Sequence, residues 1–282
     1  MRVVVTGGSG YLGTHVRSFF GADDFSRRAG RDILNPHDAA EIAEYDIVIH
    51  LAATLDKSPD AADEVFLTNV EGTINVLKHV SENAAFIFAS TKDVYGRFAD
   101  TFSEVPETCP TMYSGQSALE WSKLIAEHYV DFYAHQNKFR SCILRMSTVY
   151  SPPSEGNTPG LVGNWAEAID RGERFRLPGS GTPIRDFMHV DDLSEACKAF
   201  ADSVIRHGTY NIGGGRRNAI SLRGLLTKLQ KVSELEAVID DEHPLPSPVP
   251  ENYVSDLGRI TQELGWEPKI ALDEGLQTLF KR

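Results

Sequence analysis

Cysteine is scarce in this sequence. Its 282 residues include three cysteines, Cys109, Cys142 and Cys197, which are odd in number and far apart. A disulfide-stapled secreted domain needs an even set, and a zinc site needs closely spaced cysteine pairs, so the pattern argues against both classes. We therefore expect a reduced, cytoplasmic protein that holds no metal ion.

Basic residues are also under-represented. Lys and Arg total 28 against 40 Asp and Glu, which gives a formal net charge of −12. An acid surplus of this size opposes the positive field that a general nucleic-acid binder needs, although it leaves room for a local basic pocket. We expect a small-molecule substrate and no nucleic-acid partner.

Long apolar runs are missing as well. No stretch is long enough to cross a bilayer, and the opening MRVVVTGG (1–8) leads into a strand pattern with no room for a signal peptide. Hydrophobic residues make up 41% and charged residues 24%, which is the balance of an ordinary globular protein with a substantial core. We expect no membrane partner.

The sequence does contain an alternation of strand and helix patterns. Short apolar runs at 46–53, 84–91 and 140–150 predict strands, and the apolar spacing of 64–83 predicts a helix between two of them. Continuous apolar strands separated by helices are typical of a parallel sheet covered on both faces. The pattern predicts an α/β fold with a Rossmann-type doubly wound parallel sheet. Beyond residue 150, turn-rich and proline-rich segments predict a smaller C-terminal part.

Three glycines stand between the first strand pattern and the first helix pattern. Gly7, Gly10 and Gly13 follow an apolar β-branched run. A pyrophosphate needs bare backbone and the amides of a helix N-terminus, which this arrangement supplies. The G-x-x-G-x-x-G spacing differs from the ordinary G-x-G-x-x-G, and a plain tight turn is the other interpretation. Its place after the first strand favours a dinucleotide-binding loop, with Tyr11 and Leu12 as further contacts.

The end of the second strand bears on the choice between NAD and NADP. An acid about 20 residues after the glycines usually binds the ribose 2′-hydroxyl of NAD. Asp23 and Asp24 come too early for this role. Ser26, Arg27 and Arg28 fall near the end of the predicted strand, where Arg27 could receive a 2′-phosphate through paired donors. A solvated loop explains these residues equally well. We expect NAD(P), with NADP slightly preferred over NAD.

Seven short motifs occur along the chain in order: TGGSGYLG (6–13), HLAA (50–53), NVEGT (69–73), STKDVYG (90–96), RDFMHVDDL (185–193), YNIGGG (210–215) and ELGWEP (263–268). Together they resemble the extended short-chain dehydrogenase/reductase family, the NAD-dependent nucleotide-sugar epimerases and dehydratases. The resemblance covers nearly the whole chain, and the ordered set is far more specific than any one motif. It implies that 1–150, together with 189–215, form an NAD(P)-binding Rossmann domain. The remaining 151–188 and 216–282 would form a smaller substrate-binding part.

The resemblance also assigns cofactor contacts. These are Asp32 and Ile33 near the adenine, Leu51, Ala52 and Ala53 along the dinucleotide, and Asn69 on the helix behind it. The general rule for open α/β sheets agrees, because ligands bind at the carboxyl ends of the strands.

The active-site helix departs from the family pattern. In the family a Tyr-x-x-x-Lys motif works as a unit: the lysine holds the nicotinamide ribose and lowers the pKa of the tyrosine. The tyrosinate then takes a hydroxyl proton while hydride leaves the carbon. Lys123 matches the lysine, and Ser122 precedes it as in the family, but Leu119 replaces the tyrosine. Without the resemblance, Lys123 would also fit a lysine that lies along apolar core.

Three explanations are open for the missing tyrosine. In the first, Tyr113 or another phenol reaches the same place from the irregular segment 110–117. In the second, Thr91 and Asp93 supply the acid and base, since alternating residues of an extended segment face the same way. Several family dehydratases and decarboxylases carry an acid at the position of Asp93. In the third, redox chemistry is lost and cofactor binding is retained.

The substrate side is also altered relative to the family. Arg185 matches the arginine that contacts the substrate pyrophosphate, and an ion pair to a neighbouring aspartate is the other interpretation. Thr148 stands where many relatives have asparagine, and Pro246 stands where an arginine is common, whereas Tyr253 is retained. Thr91, Thr148, Arg185 and Tyr253 are therefore the predicted substrate contacts in a pocket that has changed its ligand.

The resemblance implies an NAD(P)-dependent epimerase, dehydratase or reductase acting on a nucleotide-linked or related sugar. Thr91 would polarise a sugar oxygen, Lys123 would hold the ribose, and Asp93 would be the candidate acid and base. Because the tyrosine is missing, an NAD(P)-binding sensor or assembly protein without turnover is the alternative. Family members often pair through two helices in a four-helix bundle, so the resemblance also implies a homodimer.

Overall fold

The structure is a computed structural model that describes residues 1–157, 159–243 and 250–280, with the side chains of 240–243 left out. Pro246 lies outside the described residues. The strands are β1 (Val3–Thr6), β2 (Asp23–Phe25), β3 (Ile47–His50), β4 (Ala85–Thr91), β5 (Arg140–Met146), β6 (Thr148–Tyr150), β7 (Arg174–Pro178), β8 (Ile184–His189), β9 (His207–Ile212), β10 (Ala219–Ser221) and β11 (Val238–His243).

The first strand shows why the main sheet is covered on both faces. All four of its residues are β-branched, which favours an extended backbone, and all four are buried. Val3 and Val5 pack into the core on one face of the sheet, and Val4 packs into the core on the other. A strand that is apolar on both sides requires a layer of helices above and below.

The main sheet has six parallel strands in the order β2-β1-β3-β4-β5-β9. This confirms the Rossmann-type doubly wound parallel sheet predicted from the sequence. The helices are α1 (Gly13–Phe20), α2 (Pro36–Ala40), α3 (Ala62–Phe66), α4 (Gly72–Leu77), α5 (Ala118–Asn137), α6 (Leu161–Arg171), α7 (Val190–Asp202), α8 (Leu222–Ser233), α9 (Gly258–Leu264) and α10 (Leu272–Leu276). Helices α1 and α7 cover one face and α4 and α5 cover the other.

Two smaller sheets lie outside the main sheet. A three-stranded sheet has the order β10-β8-β6, and β7 pairs with β11 in a separate parallel pair. Helices α6, α8 and α10 pack on these strands around a core of their own that includes Trp165, Phe187 and Leu229. Within the described residues, no helix is long and apolar enough to cross a membrane.

Candidate functional site

A cavity of about 650 Å³ opens at the carboxyl ends of β1 to β5. It is lined by residues that end or directly follow these strands, namely Gly7, Ser26, Leu51, Thr91 and Met146. Its volume falls in the range of small-molecule and cofactor sites, and its position is that of ligands in open α/β sheets. One end lies against the glycine loop, and the other lies between β4 and α5.

The glycine loop is shaped by two close approaches of backbone. Gly7 has φ of +71°, and an added Cβ would lie 2.9 Å from the backbone of Ala52. A Cβ on Gly13 would overlap the carbonyl oxygen of Gly7, which also accepts a 2.9 Å hydrogen bond from the amide of Gly10. Only glycine fits the positions of Gly7 and Gly13, and the loop presents bare backbone to the cavity.

The start of α1 is suited to a phosphate. Among the described residues no side chain caps this helix, so its N-terminus stays open to a ligand, although the amide of Thr14 is bonded to Gly10 O at 3.0 Å. Gly10, Tyr11, Leu12 and Gly13, the predicted dinucleotide contacts, all line the cavity. The loop therefore fits a dinucleotide pyrophosphate.

A chain of buried hydrogen bonds holds the loop that follows β3 in place. Thr6 Oγ1 and His50 Nδ1 are 2.8 Å apart, His50 Nε2 and Thr73 Oγ1 are 3.0 Å apart, and the amide of Ala52 donates to Thr6 Oγ1 at 3.3 Å. Burial and the nearby Lys123 lower the pKa of His50 to about 3, so this imidazole is neutral at working pH. These hydrogen bonds position Leu51, Ala52 and Ala53, which line the cavity.

Asn69 supports the cavity from behind rather than lining it. Its side-chain amide donates to Thr54 O and to Ser122 Oγ, both at 2.9 Å, and its oxygen accepts from Thr54 N at 2.8 Å. These bonds tie the β3 loop to α5. The structure places Asn69 on the helical turn behind the cavity.

The glycine-loop end of the cavity is cationic. Asp32 and Ile33 line it, together with Arg27, Arg28 and Arg31. The net charge of −12 for the whole chain thus coexists with a local basic pocket.

Arg28 makes contacts that the sequence gives no means of predicting. Its Nη1 donates to Ser9 O at 3.0 Å and to Asn157 Oδ1 at 2.9 Å, and its Nη2 donates to Gly156 O at 2.8 Å. Asn157 itself lines the cavity. The arginine therefore joins the glycine loop to a segment that lies 129 residues after Arg28 in the chain.

The carboxylate of Asp24 is directed at the glycine loop and does not line the cavity. It accepts hydrogen bonds from Ser9 Oγ and, at 3.2 Å, from Arg17 Nη1. Among the described lining residues, Asp32 is the only acid.

Lys123 and Leu119 lie at the opposite end of the cavity, one turn apart on α5. Lys123 is 5% exposed, and its Nζ donates to the carbonyl of Ala89 at 2.8 Å and lies 4.9 Å from the ring centroid of Phe88. Burial lowers the pKa of Lys123 to about 8, and the nearby carboxylate of Glu127 opposes this shift. Leu119 offers no exchangeable proton.

Thr91 lines the cavity, whereas Asp93 does not. The Asp93 carboxylate contacts Lys92 Nζ and lies 3.2 Å from Lys57 Nζ. Burial raises the pKa of Asp93, but the two ammonium groups together outweigh burial and hold the pKa well below its ordinary value. Sequence reasoning missed both lysines. Lys92 is adjacent in the chain, yet only folding brings Lys57 to the same carboxylate.

Tyr113 lies outside the cavity lining. Its side chain is 69% exposed, and its ring stacks on Trp121 at a centroid distance of 6.3 Å. The structure therefore does not bring this phenol to the end of the cavity that holds Lys123.

Three of the four predicted substrate residues, Thr148, Arg185 and Tyr253, lie on or next to the smaller sheet. Thr148 of β6 pairs with Phe187 of β8, and Arg185 of β8 forms an isolated bridge with Tyr253. Arg185 is buried, and its guanidinium donates to the carbonyls of Ile184, Glu251 and Pro250 at 2.6 to 2.9 Å. Of these predicted contacts, Thr91 alone lines the cavity.

Ser147 is a cavity-lining residue that sequence reasoning missed. Its hydroxyl donates to the fully buried carboxylate of Asp186, which also accepts from the amides of Gly215 and Ser255 at 3.0 and 3.1 Å. The described residues contain no group of three or more His, Cys, Asp and Glu side chains placed to hold a metal ion.

Comparison with known proteins decides the family. The model of the NAD dependent epimerase/dehydratase family matches residues 3–213. The chain belongs to this family. CDP-paratose 2-epimerase of Salmonella typhi is 28% identical, with 99% of this chain and 98% of that protein covered. The dTDP-glucose 4,6-dehydratase of Mycolicibacterium smegmatis is 30% identical over 95% of this chain and 88% of its own length.

Among solved structures, UDP-glucose 4-epimerase of Thermotoga maritima with UDP-glucose superposes with a TM-score of 0.83. Its sequence is 26% identical, and the match covers 99% of this chain and 97% of that one. These matches confirm the predicted membership of the epimerase/dehydratase family and the prediction of an NAD(P)-dependent enzyme of this class.

Proposed function

We propose that this protein is an NAD(P)-dependent enzyme that oxidises and reduces a nucleotide-linked sugar, as an epimerase, dehydratase or reductase. The observation that carries the proposal is a single cavity with a glycine cradle at one end and Thr91 and Lys123 at the other. The relatives named above are an epimerase and a dehydratase of CDP- and dTDP-linked sugars. Their names support the class of substrate and leave the particular sugar open.

The residues present fit the dinucleotide, and different residues would hold its different parts. The glycine loop and the first turn of α1 would hold the pyrophosphate, and Lys123 would hold the nicotinamide ribose. When bound, the dinucleotide supplies the hydride acceptor or donor. Thr91 would donate a hydrogen bond to the reacting sugar oxygen.

We place the rest of the substrate on the smaller part of the chain, residues 151–188 and 216–282. Arg185 and Tyr253, which form a bridge within this part, support this placement, and Thr148 lies just before it on β6, which pairs with β8. The three hydrogen bonds of Arg185 to carbonyls use its Nη groups, so its Nε donor remains for a phosphate oxygen.

NADP is the dinucleotide that we propose. Within the part of the chain that the structure describes, the side chain of Arg27 lines the cavity and makes no hydrogen bond or ion pair. The carboxylate of Asp24 lies outside the lining, and its Oδ2 accepts hydrogen bonds from Ser9 and Arg17. A free guanidinium favours a 2′-phosphate, whereas NAD binding calls for an acid at the ribose. Arg27→Ala should weaken NADP binding at least tenfold and leave NAD binding unchanged in titration calorimetry. Arg171→Ala on α6 is the control and should leave both affinities unchanged. If Arg27→Ala weakens the binding of NAD and NADP equally, the proposal is contradicted.

The reaction itself is tested in two steps. Mass spectrometry of the purified protein identifies any nicotinamide dinucleotide that it retains. The protein is then incubated in D2O with a panel of CDP-, dTDP- and UDP-sugars, and deuterium incorporation and conversion are measured. Exchange or conversion of one sugar supports an enzyme. Dinucleotide binding without exchange or conversion across the panel would instead favour the sensor.

We also propose a homodimer that pairs through α3 and α5. Leu119 and Leu124 of α5 are buried within the chain itself. Other apolar side chains at these helices are exposed, namely Phe66 at the end of α3, Leu67 directly after it, and Tyr129 and Phe132 on α5. An exposed apolar face of this kind supports pairing with a second copy.

A further inference from the structure

The end of the cavity that would hold the nicotinamide contains one titratable side chain. Among the described residues, the other titratable groups of the lining all lie at the glycine-loop end; they are Tyr11, Arg27, Arg28, Arg31 and Asp32. Building on the function proposed above, we propose that Lys123 itself transfers the proton that a tyrosine transfers in the family. Its amine would take the proton of the sugar hydroxyl during oxidation and return it during reduction.

The alternative proton carriers are poorly placed. Leu119 has no proton to give, and Tyr113 is exposed and stacked on Trp121 away from the cavity. Asp93 lies outside the lining, and its carboxylate is held by Lys92 and, 3.2 Å away, by Lys57. A carboxylate fixed between two ammonium groups is a weak base.

The position of the Lys123 amine suits a proton carrier. Its one hydrogen bond in the described structure is donated to Ala89 O, two residues before Thr91 on β4. Neutral amine and ammonium can both donate this bond, so the carbonyl fixes the nitrogen in either protonation state. No carboxylate forms an ion pair with Lys123 among the described residues. The nearest candidate, Glu127 one turn later, is paired with Arg145 at 2.7 Å and bonded to Ser90.

Burial affects the pKa of Lys123 more than the surrounding charged groups do. On its own helix Glu127 raises the pKa of the amine, and Arg145 of β5 partly offsets that carboxylate. On β3 His50 is neutral, because its pKa lies near 3, and the adjacent β4 contributes Phe88 and a carbonyl without charge. Burial therefore brings the pKa of Lys123 to about 8, where both forms are populated.

The step balances in atoms and charge. In the oxidative direction the hydroxyl O–H bond breaks and its proton passes to the neutral amine of Lys123. The carbinol C–H bond breaks with its electron pair, and the hydride goes to the nicotinamide of the bound dinucleotide, which is the oxidant. The products are a carbonyl, the reduced dinucleotide and the ammonium of Lys123. Reduction reverses each transfer.

The test separates proton transfer from ribose binding by means of two variants. Lys123→Arg keeps a cation for the ribose but cannot deprotonate, whereas Lys123→Met loses both functions. We expect Lys123→Arg to bind the dinucleotide within about threefold of the wild type and to lose roughly 100-fold or more in kcat. We expect Lys123→Met to lose affinity as well. Lys78→Arg, at an exposed lysine after α4, is the matched control and should leave both values unchanged.

A readout that needs no turnover is the titration of the amine itself. In protein labelled at the lysine ε-carbon, the NMR signal that disappears in Lys123→Arg should titrate near pH 8 without cofactor. The wild-type kcat for oxidation should rise with pH through the same value, because the neutral amine is the base. For reduction kcat should fall with pH over this range, because the ammonium is the acid.

The outcomes distinguish this inference from the proposed function. An amine that titrates above pH 10, or a Lys123→Arg variant that keeps kcat and its pH dependence, would overturn proton transfer by Lys123 and leave the proposed enzyme intact. A loss in Asp93→Asn or Tyr113→Phe that matches the loss in Lys123→Arg would overturn it too. No turnover by wild type loaded with dinucleotide would contradict the proposed function.

Discussion

At the scale of single residues, the cavity depends on glycine at positions where a side chain would not fit. Gly7 combines a positive φ with backbone 2.9 Å from where a Cβ would stand, whereas Gly172 after α6 has φ of +64° and open space around it. Alanine at either position incurs a backbone strain of about 1 kcal/mol. At Gly7 it must also displace Ala52, which lines the cavity.

Gly7→Ala should therefore weaken dinucleotide binding at least tenfold, and Gly172→Ala should leave it unchanged. Titration calorimetry with NADP measures both affinities, and thermal melting confirms that both variants are folded. If both variants bind equally well, the glycine loop does not hold the dinucleotide.

Asp93 has a role in stability that can be measured apart from any role in catalysis. Asp93→Asn removes the carboxylate from the buried Lys92, and an unpaired buried ammonium should lower the free energy of unfolding at pH 7 by about 3 kcal/mol. The pKa of Asp93 is lower in the folded than in the unfolded protein, where it is near 3.8. The stabilisation is therefore complete above pH 3.8 and is lost as the pH falls through the folded pKa.

Urea unfolding of wild type and Asp93→Asn at pH 7 and at progressively lower pH measures this difference. The difference in the free energy of unfolding between the two proteins should decrease as the pH falls. Asp202→Asn is the matched control, because Asp202 pairs with Lys198 at an exposed site and its loss should cost less than about 1 kcal/mol. A gap that stays constant down to pH 3 would contradict the assigned ion pair.

At the scale of elements, α5 carries Lys123 and Leu119 to the cavity and depends on its first turn. Ser117 caps this helix by accepting a hydrogen bond from the amide of Leu119, and Glu120 completes a capping box. Ser117→Ala should lower the free energy of unfolding by about 1 kcal/mol and the melting temperature by about 2 °C. Ser117→Thr keeps the capping oxygen and should melt close to wild type. Equal losses in both variants would show that packing, and not the cap, is responsible.

The elements near the glycine loop could be predicted because their signals are local. The valines of β1, the glycines and the start of α1 occupy about 20 consecutive residues, so their pattern needs no information from elsewhere in the chain. The pairing of β7 with β11 joins Arg174 to Val238, and the bonds of Arg28 reach Asn157. Contacts between such distant segments depend on the folded topology, and no periodicity in the sequence encodes them.

At the scale of the whole molecule, the ordered motifs determined the family, while the active site required the structure. Leu119 at the tyrosine position is visible in the sequence, but its consequence depends on where Tyr113 and Asp93 lie. The structure exposes Tyr113 and surrounds Asp93 with lysines, which leaves Lys123 at the cavity. Burial and long-range pairing decide these positions, and neither can be read from a single sequence.

Exposed aromatic side chains on α5 and at the end of α3 support the proposed homodimer. Phe132 of α5 is 57% exposed, and Phe66 at the end of α3 is also exposed; the two helices pack against each other. Aromatic groups in water on two adjacent helices favour burial against a second copy, and two helices from each chain would form a four-helix bundle. A charge at either position would have to be buried unpaired in that interface.

We therefore expect the wild type to sediment as a dimer at micromolar concentration and Phe132→Glu to sediment as a monomer. Val204, which is 93% exposed between α7 and β9, provides the control, and Val204→Glu should remain dimeric. Dinucleotide affinity should be retained in the monomeric variant, because Phe132 does not line the cavity. A monomeric wild type would contradict the dimer outright, and a dimeric Phe132→Glu would place its interface away from α5.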